Sequence, residues 1–439
     1  MIQFFRVNNY RAIGREQSIN FLATSDKSHL ENINNETKIL SVTPIYGGNA
    51  TGKTNLLKGI KTLQEVVTGN RNISESYEPC KFINENGSSF EIVFFKNKIK
   101  YYYKLKYNLE EVLEEFLYYY PKGKISKIFH RENQSYDFGQ GFKGKLGQFS
   151  NSLSKDSCFL RVINEFISEE FEALNNIKLF FNNDLIFLGE GLNKHSLKER
   201  KKFFKENKNK QIDKFINEFY KHLNIGTQGF RVKNSIINSD FLSSLNQENK
   251  KLLIEKAFGI NIIEKTGSDD EFLLKLLANK NNSDIEINLI YNINGKEILI
   301  PIEEESEGIQ NIFKLGSFMS DALSNGKIVL FDELESGFHT LLAKKIIEIF
   351  IKNKENSQLI FTTHNTALLD LDIFRRDQIY FTKRNKETDF TSSYFSLSDI
   401  KGIRKSTDIE KAYLKGAYCD SPRFNKFNSR FSEEEGSDE

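Results

Sequence analysis

Residues 47–54 read Gly-Gly-Asn-Ala-Thr-Gly-Lys-Thr, a complete G-x-x-x-x-G-K-[ST] phosphate loop. Between a strand and a helix, such a loop turns backbone N–H groups toward phosphate oxygens. Lys53 reaches the β- and γ-phosphates, and Thr54 supplies a hydroxyl for Mg²⁺. The flanks suit this context: Thr43-Pro44-Ile45-Tyr46 is a short apolar strand, and Asn55-Leu56-Leu57-Lys58-Gly59-Ile60 opens a helix. The expected nucleotide-binding residues here are Gly47, Asn49, Ala50, Thr51, Gly52, Lys53, Thr54 and Asn55.

A second stretch settles the fold class as α/β. Lys327-Ile328-Val329-Leu330-Phe331-Asp332-Glu333 is an apolar run ending in two carboxylates. The carboxyl end of an apolar strand is where an α/β sheet places metal-binding and catalytic groups. Asp332 then joins Thr54 at the metal, and Glu333 orients and deprotonates the attacking water. Some thirty residues on, Gln358 to Asn365 (QLIFTTHN) is another strand running into His364, whose imidazole can bond a γ-phosphate and report its loss. Upstream, Ser306-Glu307-Gly308-Ile309-Gln310 offers a hydroxyl and a helix N-terminus, an anion site.

This order of motifs resembles the ABC-type ATPase heads of the SMC, Rad50 and RecF group. The resemblance covers roughly the first 110 and the last 150 residues. It implies a mixed sheet with flanking helices, a helical insert domain, and ATP with Mg²⁺ as ligands. It makes Ser306, Glu307, Gly308 and Gln310 the signature motif, which faces the γ-phosphate held by a partner subunit, so that two heads dimerise around Mg-ATP. Ser336, Gly337 and His339, within Glu335 to His339 (ESGFH), become the D-loop, and His364 becomes the switch histidine. The opening segment Phe5 to Arg11 (FRVNNYR) resembles that group's first strand, which brings its basic residue, Arg11, near the nucleotide. One departure stands out: the glycine of the signature is followed by Ile309, Gln310 and Asn311 instead of a small residue and then a basic one.

The stretches at 77–95, 114–124, 374–381 and 413–422 resemble the bacterial AAA15 family of ABC-type ATPases. That likeness implies a phage-defence or abortive-infection role beside a separately encoded effector, often a nuclease or RNase-like toxin, with a phage protein as a candidate trigger.

Composition sets bounds. The chain has 439 residues, 38% of them hydrophobic and 28% charged, ordinary for a soluble protein with room for two or three compact units. No apolar stretch approaches the length of a membrane helix, and no signal peptide precedes the first strand. Cys80, Cys158 and Cys419 lack metal or redox spacing, which points to a reducing bacterial cytoplasm.

The expected organisation is a split head: an N-terminal lobe over 1–145, a mainly helical insert over 146–283, a C-terminal lobe over 284–400, and a tail over 401–439 that is disordered or docks a partner. Lys98 to Tyr107 (KIKYYYKLKY) alternates with period two and reads as a half-buried strand paired with Phe90 to Phe95 across a Lys96-Asn97 turn. Its lysine row could follow a phosphate backbone, although a solvated sheet face explains it more simply. Phe159 to Leu174, Leu197 to Leu223 and Asn249 to Phe258 read as helices, with no sustained heptad. Asp284 to Pro301 returns to strands around an Asn294-Gly295 hairpin signal.

Two charged regions stand apart. Lys194 to His222 carries ten Lys or Arg residues against four acids, a surface for nucleic acid or an acidic partner, or else a solvated helix face. Arg423 to Phe431 spaces Phe424, Phe427 and Phe431 along one helical stripe before an acidic terminus, suited to docking or to disorder. Asp370-Leu371-Asp372 matches the spacing of metal-dependent nucleases, but capping or turn chemistry accounts for it. His29, His130, His195 and His222 are isolated from any metal-ligand spacing.

The expected activity is ATP hydrolysis, with Lys53, Glu333 and His364 carrying the chemistry and the ATP-bound dimer acting as a switch on an effector. The rival is a DNA-repair or chromosome-maintenance ATPase that closes its heads on DNA, with steep salt dependence. A transporter's nucleotide-binding half fits less well, since no membrane-coupling element is visible.

Overall fold

The computed structural model describes residues 1–166, 171–189, 197–206, 210–223, 226–234, 285–336, 339–353, 356–403 and 407–418. Asn249 to Phe258, His195, Gly337, Cys419 and the tail from Arg423 onward lie outside the described residues. The chain divides into two compact units, Met1–Gly191 with Asp321–Glu439, and Leu192–Ser320.

In the first unit, alternation of apolar and polar residues builds a seven-stranded antiparallel sheet. Its strands are β1 (Ile2–Asn8), β2 (Gln17–Asn20), β4 (Ser88–Lys96), β5 (Ile99–Tyr107), β6 (Val112–Tyr120), β7 (Ser126–Glu132) and β8 (Ser135–Phe138), in spatial order β2-β1-β4-β5-β6-β7-β8. The expected hairpin is present, with Phe94 opposite Tyr101 and Ile92 opposite Tyr103. Its turn falls one residue later than expected, at Asn97-Lys98, both at positive φ (49° and 64°), as a tight primed turn requires. Tyr101, Tyr103, Leu105 and Tyr107 are buried. On the other face, Lys104 pairs with Glu114 at 2.8 Å, Lys98 with Glu36 at 3.0 Å, and Lys100 sits 3.9 Å from the Tyr120 ring centroid. Three of the four lysines are therefore engaged within the unit, as a solvated sheet face would have them.

The second sheet of this unit is mixed, in the order β16-β15-β3-β14-β13-β9. Here β3 is Val42–Gly47, β9 Leu185–Leu188, β13 Ile328–Phe331, β14 Gln358–Thr363, β15 Tyr380–Arg384 and β16 Ser392–Ser396. Strand β3 pairs in parallel with both β14 and β15, and β13 pairs in parallel with both β14 and β9. Every residue of β3, β13 and β14 is buried, as parallel strands covered on both faces demand. Helix α1 (Lys53–Val67) packs Leu56, Leu57, Ile60 and Leu63 into the core shared with Phe5, Phe90 and Ile45.

After the short helix α2 (Ile73–Ser76), three further helices follow the first sheet: α3 (Lys143–Ser150), α4 (Phe159–Phe166) and α5 (Glu172–Leu179). The expected single helix over Phe159 to Leu174 is thus two. The expected insert boundary at 145 also shifts, because these helices belong to the first unit's core. Phe159, Leu160, Ile163, Leu174 and Ile177 are buried there, and a π-helical turn, Phe180–Asp184, adds Phe180 and Phe181. Glu115 on β6 secures α4. Its carboxylate accepts the N–H groups of Phe159 (2.7 Å) and Leu160 (2.8 Å), two donors that a helix start leaves without intrahelical partners. Phe94 is fully buried and stacks on Phe180 with centroids 3.6 Å apart. Phe94→Ala is expected to destabilise this unit by about 3–5 kcal/mol, measured by chemical denaturation.

Among its described residues the second unit holds a sheet as well as helices. Helices α6 (Leu197–Glu206) and α7 (Lys210–Leu223) accompany a three-stranded antiparallel sheet, β10 (Gly229–Asn234), β11 (Ile285–Ile293) and β12 (Lys296–Pro301). Asn294 and Gly295 form the β11–β12 turn at φ 52° and 78°. The core of Phe203, Phe204, Ile216, Tyr220, Phe230, Ile287, Leu289 and Phe313 explains the result: strands 285–301 need helical cover, and α6 with α7 supplies it. Phe203 and Phe204 are packing residues. Among the described residues no helix is long and apolar enough to cross a membrane. The remaining helices are α8 (Glu307–Asn325), α9 (Thr340–Lys352) and α10 (Ile409–Leu414).

Candidate functional site

Parallel pairing of β3, β14 and β13 brings their carboxyl ends to one edge of the sheet, where the phosphate-loop, acidic and histidine motifs meet. The loop 48–52 leaves β3 and enters α1. Ala50 (φ 60°) and Gly52 (φ 102°) both adopt left-handed backbone. Gly52 is doubly constrained, since a Cβ there would meet Ser392 Oγ at 2.4 Å. At Gly47 a Cβ would meet Thr382 Oγ1 at 2.1 Å. Lys53 is buried, and its Nζ donates to the carbonyls of Gly47 (2.9 Å) and Gly48 (3.0 Å). Asn55 N–H closes the turn onto Gly52 O at 2.9 Å.

The loop is braced from the far end of the chain. Ser392 Oγ donates to Thr51 O (2.6 Å), Tyr394 OH donates to Gly52 O (2.6 Å), and the hydroxyls of Thr51 and Thr382 lie 2.5 Å apart. Thr382, Ser392 and Tyr394 carry no motif. Only the pairing of β15 and β16 beside β3 reveals them.

The acidic pair lies where the strand register puts it. Thr54 Oγ1 donates to Asp332 Oδ1 at 2.9 Å, and Thr362 Oγ1 donates to the same oxygen at 2.6 Å. Thr362 Oγ1 in turn accepts Glu333 N–H at 2.8 Å. A hydroxyl and a carboxylate at hydrogen-bond distance, at the entrance of an N-terminal helix turn, form an all-oxygen donor set that suits Mg²⁺. Glu333 stands at φ 58° with its side chain exposed, a conformation that is rare for a long side chain and directs it out of the strand.

His364 follows β14. Its Nδ1 lies 3.4 Å from Lys53 Nζ, so the neutral ring accepts there and carries its proton on Nε2. Burial, and then the Lys53 ammonium, lower the histidine's pKa and so favour the neutral ring. The two flanking segments are tied to it as well: Glu335 Oε1 accepts His364 N–H, and Asn365 Nδ2 donates to Thr340 Oγ1 at 2.9 Å.

Arg11 is past the end of β1 in a turn at φ 54°, with Nε 2.7 Å from Glu78 Oε2. Together with Ala12, Tyr77, Glu78, Pro79, Lys81 and Phe82 it lines a cavity of about 550 Å³. Ala12 O accepts Ser392 N–H at 2.7 Å, so the cavity wall is hydrogen-bonded to the residue that braces the phosphate loop.

Other expected residues fall elsewhere. Ser306, Glu307, Gly308 and Gln310 lie in the second unit at the start of α8, where Gln310 N–H bonds Ser306 O at 3.0 Å. Ser336 N–H bonds Glu333 O at 2.8 Å, and His339 caps α9 by accepting Leu341 N–H at 3.2 Å. Asp370 makes a turn, accepting Asp372 N–H at 2.8 Å, as turn chemistry predicts.

A family model described as "AAA domain, putative AbiEii toxin, Type IV TA system" matches residues 42–370, which span all the phosphate-loop, acidic and histidine motifs. Among solved structures, the chain is similar to the SMC head domain from Thermotoga maritima, at 13% identity over 90% of this chain and 98% of that one, with a TM-score of 0.41. It is similar to the SmcHead bound to the C-winged helix domain of ScpA at 14% identity, over 90% and 97%, with a TM-score of 0.44. For the Smc head domain with an extended coiled coil bound to the C-terminal domain of ScpA, derived from Pyrococcus furiosus, the identity is 13% over 94% and 98%, with a TM-score of 0.40. No curated protein matches the sequence.

Proposed function

We propose, since this chain belongs to the family described as AAA domain, putative AbiEii toxin, Type IV TA system, that it is an ATPase whose Mg-ATP-bound dimer switches a separately encoded effector in phage defence. The observation that carries the hydrolysis reading is the Thr54–Asp332–Thr362 hydrogen-bonded set beside Lys53. Thr54 and Asp332 would hold Mg²⁺, which when bound neutralises charge across the β- and γ-phosphates. Lys53 leaves the Gly47 and Gly48 carbonyls to bind phosphate oxygens, and the first-turn N–H groups of α1 add to it. Glu333 orients a water and takes its proton as that water displaces ADP from the γ-phosphorus. His364 donates from Nε2 to a γ-phosphate oxygen. The cavity beside Arg11 accommodates the base between Tyr77, Pro79 and Phe82.

The dimer reading is supported by Ser306 to Gln310, which stand at the start of α8 as the signature motif of the resemblance would require. Membership of a family described by a toxin–antitoxin system supports an output directed at a second protein.

Phosphate release by the purified chain, with co-purification of Glu333→Gln protein from its native locus in Mg-ATP, tests this reading. Hydrolysis that is lost in Lys53→Ala, together with a stoichiometric co-encoded protein, is expected. Absence of hydrolysis, or recovery of DNA alone that salt releases, would overturn it.

A further inference from the structure

One carboxylate beside the site takes no part in the phosphate or metal arrangement. Glu335, three residues past Asp332, places Oε1 2.5 Å from the main-chain N of His364. Its other oxygen, Oε2, is buried and has no hydrogen-bond partner among the described residues. A carboxylate oxygen withdrawn from water and given no donor is unfavourable in itself, so stability alone does not account for the residue. The neighbouring Asn365 is held by Thr340, at the start of α9. His364 is therefore suspended from two supports in the segment that follows the acidic pair, while its ring faces Lys53.

We propose that Glu335 is a positioning residue for ATP hydrolysis: its carboxylate fixes the His364 backbone, and so the aim of the imidazole at the phosphate end of the site. The proposal rests on the hydrolysis reading above, because the placement of His364 affects turnover only if the site turns over. The hydrogen bond, and not the charge, is the operative element. A main-chain N–H requires an acceptor at one place. The glutamate side chain reaches it, glutamine keeps an acceptor oxygen at the same reach without the charge, and aspartate keeps the charge one methylene short. The Glu335 charge also favours the imidazolium form, an effect that the same substitutions separate.

The test uses the full chain and measures steady-state Mg-ATP hydrolysis, with ATP affinity titrated in parallel, for the parent, Glu335→Gln, Glu335→Asp and Glu335→Ala. The expected result is kcat for Glu335→Gln within about threefold of the parent, and a fall of about tenfold or more for Glu335→Asp and Glu335→Ala, with ATP affinity held within about threefold throughout. If Glu335→Asp keeps parental kcat while Glu335→Gln loses it, the charge is operative and the proposal is wrong. Parental kcat in all three variants would also overturn it. Should Glu335→Ala fail to fold, the Gln and Asp variants decide the matter between them. A parent that shows no hydrolysis sensitive to Glu333→Gln brings down the hydrolysis reading and this proposal together, an outcome the parental control separates from the others.

Discussion

Glu333→Gln is expected to bind Mg-ATP within about threefold of the parent and to turn it over at least roughly a hundredfold more slowly, the usual scale for losing a general base. The argument starts from the backbone. Glu333 sits in left-handed conformation, anchored by its N–H to Thr362 Oγ1, with its side chain exposed. Glutamine has the same shape, meets the same backbone penalty and replaces no buried contact. Folded stability should then change by no more than about 0.5 kcal/mol. Lys53, Thr54 and Asp332 are untouched, so nucleotide and metal still bind while the water keeps its proton. On the proposed dimer reading, ATP then holds two chains together, visible as a doubled mass in light scattering that persists for as long as ATP does. Parental turnover in Glu333→Gln would reassign the base.

Lys53→Ala should abolish Mg-ATP binding, with affinity lowered by at least about a hundredfold, because hydrogen bonds to a charged group contribute about 1.5–3 kcal/mol each and more than one is lost. It also has a structural cost. The ammonium is buried and donates to the Gly47 and Gly48 carbonyls; Thr51 Oγ1 still donates to Gly48 O at 2.9 Å, so removing the ammonium leaves the Gly47 carbonyl one donor short, worth about 1–3 kcal/mol. The decisive readout is therefore the change in thermal midpoint on adding Mg-ATP, not the midpoint itself. A ligand at a hundred times its Kd stabilises the parent by about 2.7 kcal/mol. Lys53→Ala should show no shift, and a parental shift would place the nucleotide elsewhere.

The residues that carry the proposed chemistry were readable because each is demanded by local geometry or by position at a strand end. Gly52 needs a positive φ, Thr54 follows the lysine in the first helical turn, and Asp332 and His364 end apolar runs. The meander from β4 to β8 was equally legible where side chains alternate, as at Tyr101, Tyr103 and Leu105. Thr382, Ser392 and Tyr394 were not. They are ordinary strand residues, and their hydrogen bonds to Thr51 and Gly52 arise from pairings across more than three hundred positions of sequence. The unit boundary was missed for a related reason. The apolar stripe of Phe159, Leu160 and Ile163 shows that α4 has a buried face, but periodicity says nothing about which sheet covers it. Glu115 completes that arrangement from a strand position 44 residues earlier. Glu335 stood in plain view within a recognised segment, yet its bond goes to a main-chain atom, which leaves no trace in side-chain pattern.

The place of β3 in its sheet has a consequence for synthesis. Its neighbours on either side, β14 and β15, begin at Gln358 and Tyr380. The seven-stranded sheet, by contrast, draws all its strands from residues before 139 and can close early. At translation rates of about 5–20 residues per second, β3 waits on the order of 15–60 s between leaving the ribosome and meeting its first partner. Throughout that interval Val42–Gly47 is an apolar strand with two open edges, the kind of segment that recruits unwanted partners. The growing chain is thus most exposed to misassembly just where its phosphate loop will form, and ATP can begin to act as a folding ligand only once the last strands have arrived.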